Sequence, residues 1–310
     1  MKPFTLSQIR GVIAALITPF DQNESLDLSR TKKLVDFLME RKINGLYLTG
    51  STGEGFLMTS NERKQLTETV VERVNGRLPV IVHVGDIGTK KSIDLALHAY
   101  TCGADAISSV PPFYWKFSQD DIYQYYKDLS QATPLPMVIY NVPMAGLMGT
   151  DLLLKLSQLP NVKGLKFTGK DHDQMTYLKA HLPDDFMIYS GCDEMALSGL
   201  CSGANGLIGS FYNIMPELFL QLYEVFQNSS LKEAIRLQTI ATEIILESIQ
   251  YDYLSLLHTI LHWQGIDAGF SRRPFHNYTE QELTDFKIKM KFLRDKYHIL
   301  PSEVTFLSLL

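Results

Sequence analysis

Short apolar runs of strand length alternate with amphipathic stretches of helix length along most of the chain. The runs lie at 11–17, 45–49, 79–84, 104–110, 136–141, 162–166, 186–189 and 206–209; Thr18-Pro19 ends the first, Gly50 the second and Pro111-Pro112 the fourth. Near-continuous apolar runs are what parallel strands covered on both faces require. The stretches 28–42, 59–76, 89–102, 118–132, 151–158, 171–181, 194–202 and 216–227 predict helices. Leu34, Phe37 and Leu38 show the spacing of one apolar helix face. Thr59-Ser60-Asn61-Glu62 and Ser118-Gln119-Asp120-Asp121 place a capping residue and a first-turn acid at two helix starts.

Each parallel connection needs a crossover helix, so eight such units predict an α/β fold, a (β/α)8 TIM barrel. An open doubly wound sheet is the alternative. Three further amphipathic stretches, 231–249, 252–263 and 280–297, predict a C-terminal helical extension. The expected division is therefore a barrel over 1–229 and an extension over 230–310 that packs on it without forming an independent domain.

Composition narrows the class without naming a chemistry. Of 310 residues, 45% are hydrophobic and 20% charged, as in a soluble globular protein. A net charge of −5 offers no basic footprint for nucleic acid or an anionic membrane. Cys102, Cys192 and Cys201 are odd in number and show no metal-ligand pairing, which favours a reducing, cytoplasmic setting over a disulfide framework. Residues 1–10 are too polar for a signal peptide, and no apolar run approaches the ~18 residues of a membrane span.

The chemistry centres on Val162-Lys163-Gly164-Leu165-Lys166-Phe167-Thr168-Gly169. Burial at a strand end would favour the neutral amine of Lys166, and Lys163 and Lys170 would add like-charge repulsion if they approach. A neutral lysine amine attacks ketones and forms a Schiff base; a surface lysine at a strand end is the plainer reading. In a barrel the other candidates are the residues at the same, C-terminal strand ends. Gly50-Ser51-Thr52-Gly53-Glu54-Gly55 can cradle a carboxylate or be an ordinary glycine turn. Tyr140 is within proton-transfer reach of a reacting hydroxyl or is structural. Pro112-Phe113-Tyr114-Trp115 is an aromatic cluster for the mouth, the core or an interface. Asp193 and Glu194 read either as first-turn acids complementing a helix dipole or as acceptors for a polyol. The eight histidines show no spacing that converges on these loops, and His258 and His262 lack a metalloprotease glutamate, so no metal is expected there.

Gly50-Ser51-Thr52-Gly53-Glu54, Tyr140-Asn141-Val142-Pro143 and Gly164-Leu165-Lys166-Phe167-Thr168, in that order, resemble the pyruvate-dependent class I aldolase family that includes N-acetylneuraminate lyase and dihydrodipicolinate synthase. The resemblance spans the barrel from Gly11 to about Gln227. It implies that Lys166 forms the Schiff base, Tyr140 carries the proton, Ser51 and Thr52 hold the substrate carboxylate, and Ser51 orients Tyr140. Thr168, Gly191, Asp193, Glu194 and Ser210 match positions that hold a sugar's hydroxyls and acyl tail. Tyr114 matches a tyrosine that completes a neighbouring subunit's site, which implies a dimer at least and usually a homotetramer. The covalent adduct on Lys166 leaves no role for a dissociable cofactor.

Pro112-Phe113-Tyr114, Gly191-Cys192-Asp193-Glu194 and Ile208-Gly209-Ser210 point to the sialic-acid-cleaving branch. The synthase branch places an arginine two residues after the proline to clamp a second carboxylate, where this chain has Ala145. Cys192 and Phe211 depart from the lyase pattern on the sugar side, Cys192 opening space and Phe211 adding bulk. The expected activity is retro-aldol release of pyruvate from a sialic acid. The alternatives are another pyruvate-dependent aldolase, whether for 2-keto-3-deoxy sugar acids or the synthase, and a non-catalytic barrel.

Overall fold

The computed structural model of the chain describes residues 4–310. Eight strands close a barrel in chain order: β1 Gly11–Ala15, β2 Gly45–Leu48, β3 Val80–His83, β4 Ala106–Ser109, β5 Met137–Asn141, β6 Val162–Phe167, β7 Met187–Ser190 and β8 Gly206–Gly209. Every neighbouring pair is parallel, and β1 meets β8 with Gly11 opposite Gly206. That closing pair excludes an open sheet; the expected (β/α)8 barrel is the observed one.

Helices α1 Leu28–Glu40, α2 Ser60–Val74, α3 Thr89–Cys102, α4 Gln119–Gln131, α5 Thr150–Ser157, α6 His172–His181, α7 Ala196–Cys201 and α8 Pro216–Gln227 follow the strands. Local chemistry sets their starts. The Asp27 carboxylate accepts the Arg30 N–H at the head of α1, and Thr59 with Glu62 and Ser118 with Asp121 close reciprocal caps on α2 and α4. Inward-facing side chains such as Ile13, Tyr47, Ile81, Val138, Tyr189 and Ile208 fill the barrel. An outer layer joins the opposite strand faces to the helices, and Ile240, Ile244, Leu257 and Phe286 carry it into the C-terminal helices. Each such aliphatic or aromatic side chain stabilises the fold by about 1.5–3 kcal/mol on full burial.

Those last helices are α9 Leu231–Ser248, α10 Tyr253–Trp263 and α11 Thr284–Tyr297. The stretch expected to open α11 at 280 is a turn instead. Glu282 bonds the Thr279 N–H and hydroxyl within the turn, and Glu280 ties the turn to α10 by accepting the Trp263 indole N–H at 2.7 Å. The extension also secures the loops at the barrel mouth. Gln238 and Thr242 of α9 donate to the carbonyls of Asp193 (3.2 Å) and Glu194 (3.0 Å), and the Arg272 N–H donates to the Glu54 carboxylate at 2.8 Å. Among the described residues no helix is long and apolar enough to cross a membrane.

Candidate active site

Strand register decides which side chains meet. β5 and β6 pair with Tyr140 opposite Lys166, and β6 and β7 pair with Lys166 opposite Tyr189. Lys166 is 4% exposed. Its Nζ lies 4.1 Å from the centre of the Tyr140 ring and 4.5 Å from that of Tyr47. The two aromatic faces favour the ammonium and burial disfavours it. Burial wins: it lowers the amine from 10.5 to about 7, with the Asp193 carboxylate opposing. The expected help from neighbouring lysines is absent, because Lys163 and Lys170 point to solvent and desolvation accounts for the downward shift.

Tyr140 keeps its proton. Burial raises the phenol to about 12, while the hydroxyls of Thr168 and Ser51 pull it back. His83 stands edge-on to it, ring centres 6.1 Å apart, and is held neutral by burial and by the nearby Arg63 and Lys166. Its tautomer follows from its partners: Nδ1 meets the Thr49 carbonyl at 3.1 Å and Nε2 accepts the Val110 N–H at 3.2 Å. The cluster thus pairs an amine that is half neutral at neutral pH with a proton-bearing phenol.

The remaining strand ends supply hydroxyls and one acid. Thr52 and Ser210 bring their hydroxyl oxygens to 2.6 Å across the mouth, and Ser51, next to Thr52 in sequence, is half-buried. Gly191 is required by space: a Cβ there would lie 2.0 Å from Thr168 Oγ1 and 3.1 Å from Lys166 Cε. Asp193 and Glu194 open a short 3-10 helix, Asp193–Met195, ahead of α7 rather than α7 itself. Asp193 turns inward, accepting the Phe211 N–H at 2.9 Å with one oxygen, and the Tyr212 hydroxyl stands beside its carboxyl. Burial raises its carboxyl to about 6. Glu194 is only half-buried, at the seam with α9.

Tyr114 stands apart from this cluster: it is 81% exposed, with a backbone φ of +81°, and packs edge-on against Trp115 at 4.8 Å. Phe211 does not project its bulk into open space; it is buried and stacked on Tyr253 of α10 at 6.0 Å. Cys192 is buried, and that burial raises its thiol to about 12. Ala145 lies on the wall of a cavity of about 350 Å³ beside Ser51, among Phe56, Phe113 and Met144.

Three neighbours of the lysine and the hydroxyls were not singled out from the sequence. Tyr47 reads as one apolar residue of a strand, although alternation along β2 would have turned it inward; its phenol donates to Ser108 Oγ at 3.0 Å, which donates to the Val138 carbonyl at 2.8 Å. His83 ends a strand in the same way. Tyr253 arrives from the extension beside Ser210 and carries no local signal at all.

A buried strand-end amine beside a phenol, at the mouth of a closed (β/α)8 barrel, defines an aldolase-type enzyme of the lyase class. The Dihydrodipicolinate synthetase family matches residues 8–292, and the chain belongs to it. The chain is 40% identical to N-acetylneuraminate lyase 2 of Escherichia coli O6:H1 over 280 residues, covering 89% of this chain and 92% of that protein. It matches the Ruminococcus gnavus sialic acid aldolase, solved as a catalytic lysine mutant, with a TM-score of 0.90 at 30% identity, covering 96% of this chain and 99% of the other. A dihydrodipicolinate synthase of Bacillus anthracis matches with a TM-score of 0.86 at 31% identity, covering 94% and 99%.

Proposed function

We propose that this enzyme is a Schiff-base retro-aldol lyase that splits N-acetylneuraminate into N-acetylmannosamine and pyruvate. The observation that carries the reading is the Lys166 amine, lowered to about 7 and 4.1 Å from the Tyr140 ring centre. The neutral amine attacks the C2 ketone, and loss of water gives an iminium. Transfer of the C4 hydroxyl proton to Tyr140 breaks the C3–C4 bond; its electrons flow into the iminium and leave pyruvate as an enamine. Protonation at C3 and hydrolysis then free pyruvate and restore the amine.

Tyr140 begins protonated, so it must pass its own proton on as it takes the next. The iminium assists, since a fixed positive charge beside a phenol favours the phenolate. The substrate carboxylate, held by Ser51 and Thr52, is the acceptor we assign for that proton. Thr168, Gly191, Asp193, Glu194 and Ser210 are assigned to the sugar's hydroxyls and acyl tail. The inward turn of the Asp193 carboxyl supports that assignment, and the crowding at Gly191 supports contact through its backbone. Tyr114 is assigned to a neighbouring subunit's site within a homotetramer, which its exposure on a positive-φ turn supports.

Ala145 on an apolar wall gives a second carboxylate no guanidinium partner and speaks against the synthase reaction. The buried Cys192 favours one competing reading, cleavage of a differently substituted 2-keto sugar acid. Sodium borohydride with pyruvate should trap an adduct on Lys166; its absence would sink the covalent mechanism. A panel of 2-keto acids, with released pyruvate coupled to a dehydrogenase, should give the highest kcat/KM with N-acetylneuraminate. A higher value for another acid would transfer the assignment to that substrate.

A further inference from the structure

A cluster of donor atoms lies outside the barrel, on the helices that follow β2 and β3, whereas Lys166 stands near the end of β6. His98 and Cys102 are one turn apart on α3 and face α2, which contributes Glu68. His98 Nε2 is 2.8 Å from Glu68 Oε1, and Cys102 Sγ is 3.6 Å from each ring nitrogen. One donor atom from each of the three residues falls within 4.8 Å of the other two. We propose that Glu68, His98 and Cys102 form a zinc-binding site that clips α2 to α3.

In a tetrahedral zinc site, Zn–S near 2.3 Å and Zn–N near 2.0–2.1 Å set sulfur and nitrogen about 3.5 Å apart. Cys102 Sγ stands at about that distance from Nε2 but equally from Nδ1, off the lone-pair direction, so the His98 ring must turn to bring nitrogen and sulfur onto one ion. The Glu68 oxygen sits about 0.5 Å too near His98 for a shared tetrahedral ion. Its side chain is 59% exposed and free to swing outward. A thiolate with an imidazole and one carboxylate suits zinc far better than magnesium or calcium, which take oxygen ligands. The sequence reading gave this cysteine no metal-ligand pairing; packing of two helices creates one.

The test is a titration of the full chain, stripped with chelator, by cobalt(II) and then zinc(II). One equivalent of cobalt should produce a thiolate-to-metal charge-transfer band in the near ultraviolet that zinc abolishes. The band should vanish in Cys102→Ser and persist in Cys201→Ser, whose cysteine is exposed elsewhere on the surface. His98→Gln should weaken zinc binding by more than about tenfold, since loss of even an outer-shell partner has an effect of that size. Zinc should raise the melting temperature of the wild type and leave that of Cys102→Ser unchanged. Absence of the band, its survival in Cys102→Ser, or unaltered zinc affinity in His98→Gln would overturn the assignment. The outcome is independent of the aldolase reading, because no part of it measures turnover.

Discussion

The depressed amine of Lys166 has consequences in both rate and stability that can be worked from its surroundings. At pH 7 an amine of ordinary pKa 10.5 is neutral in roughly one molecule in three thousand, whereas one at about 7 is neutral in half. The rate of adduct formation with pyruvate, stopped at intervals with borohydride and followed by mass spectrometry, should rise about tenfold per pH unit below 7 and level off above it. The same shift taxes the fold. Below about 7 the folded state holds a buried ammonium, which costs roughly 5 kcal/mol relative to the unfolded chain. The cost declines as pH rises from about 7 to 10.5, because only the unfolded chain still binds the proton. Lys166→Met should therefore be more stable than the wild type in urea at pH 6, by several kcal/mol, and the gap should close toward pH 10.5. A rate that climbs unbroken through pH 9, or a stability gap independent of pH, would refute the claim that burial neutralises this lysine.

Other outcomes follow from the same geometry. Tyr140→Phe should lower cleavage by about 10²–10⁴-fold while leaving the trapped pyruvate adduct largely intact, as expected when a proton carrier is lost; full activity would remove Tyr140 from the mechanism. Asp193 is shifted from 3.8 up to about 6, so its burial begins to cost stability as pH rises through 3.8 and costs the full amount, about 3 kcal/mol, above 6. Asp193→Asn should abolish that pH dependence in denaturant titrations, and a profile like that of the wild type would contradict the shift. Gly191→Ala should block adduct formation by pushing Thr168 toward Lys166, and the added change Thr168→Ala should restore part of it. Failure of the double variant to recover would mean that the glycine is needed for something other than space.

The chain's own pattern carried the fold a long way. Eight apolar runs separated by helical stretches leave little besides a parallel barrel, because each parallel step needs a crossover and both strand faces are covered. The candidate residues at the strand ends were equally legible, since Ser51, Tyr140, Lys166 and Ser210 all stand where the rhythm of the chain places the mouth. Tertiary structure alone decided how those residues behave. Register set Tyr140 opposite Lys166, closure of the ring brought Ser210 to Thr52, and α10 delivered Tyr253 from far along the chain. Sequence neighbours misled where proximity in the chain was taken for proximity in space. Lys163 and Lys170 face solvent, Asp193 turns inward to the loop after β8, and Glu68 of α2 meets His98 of α3. Hydrophobic periodicity acts over a few residues and is written locally. Desolvation and the meeting of donors depend on what folds over a side chain from elsewhere, which the local sequence does not encode.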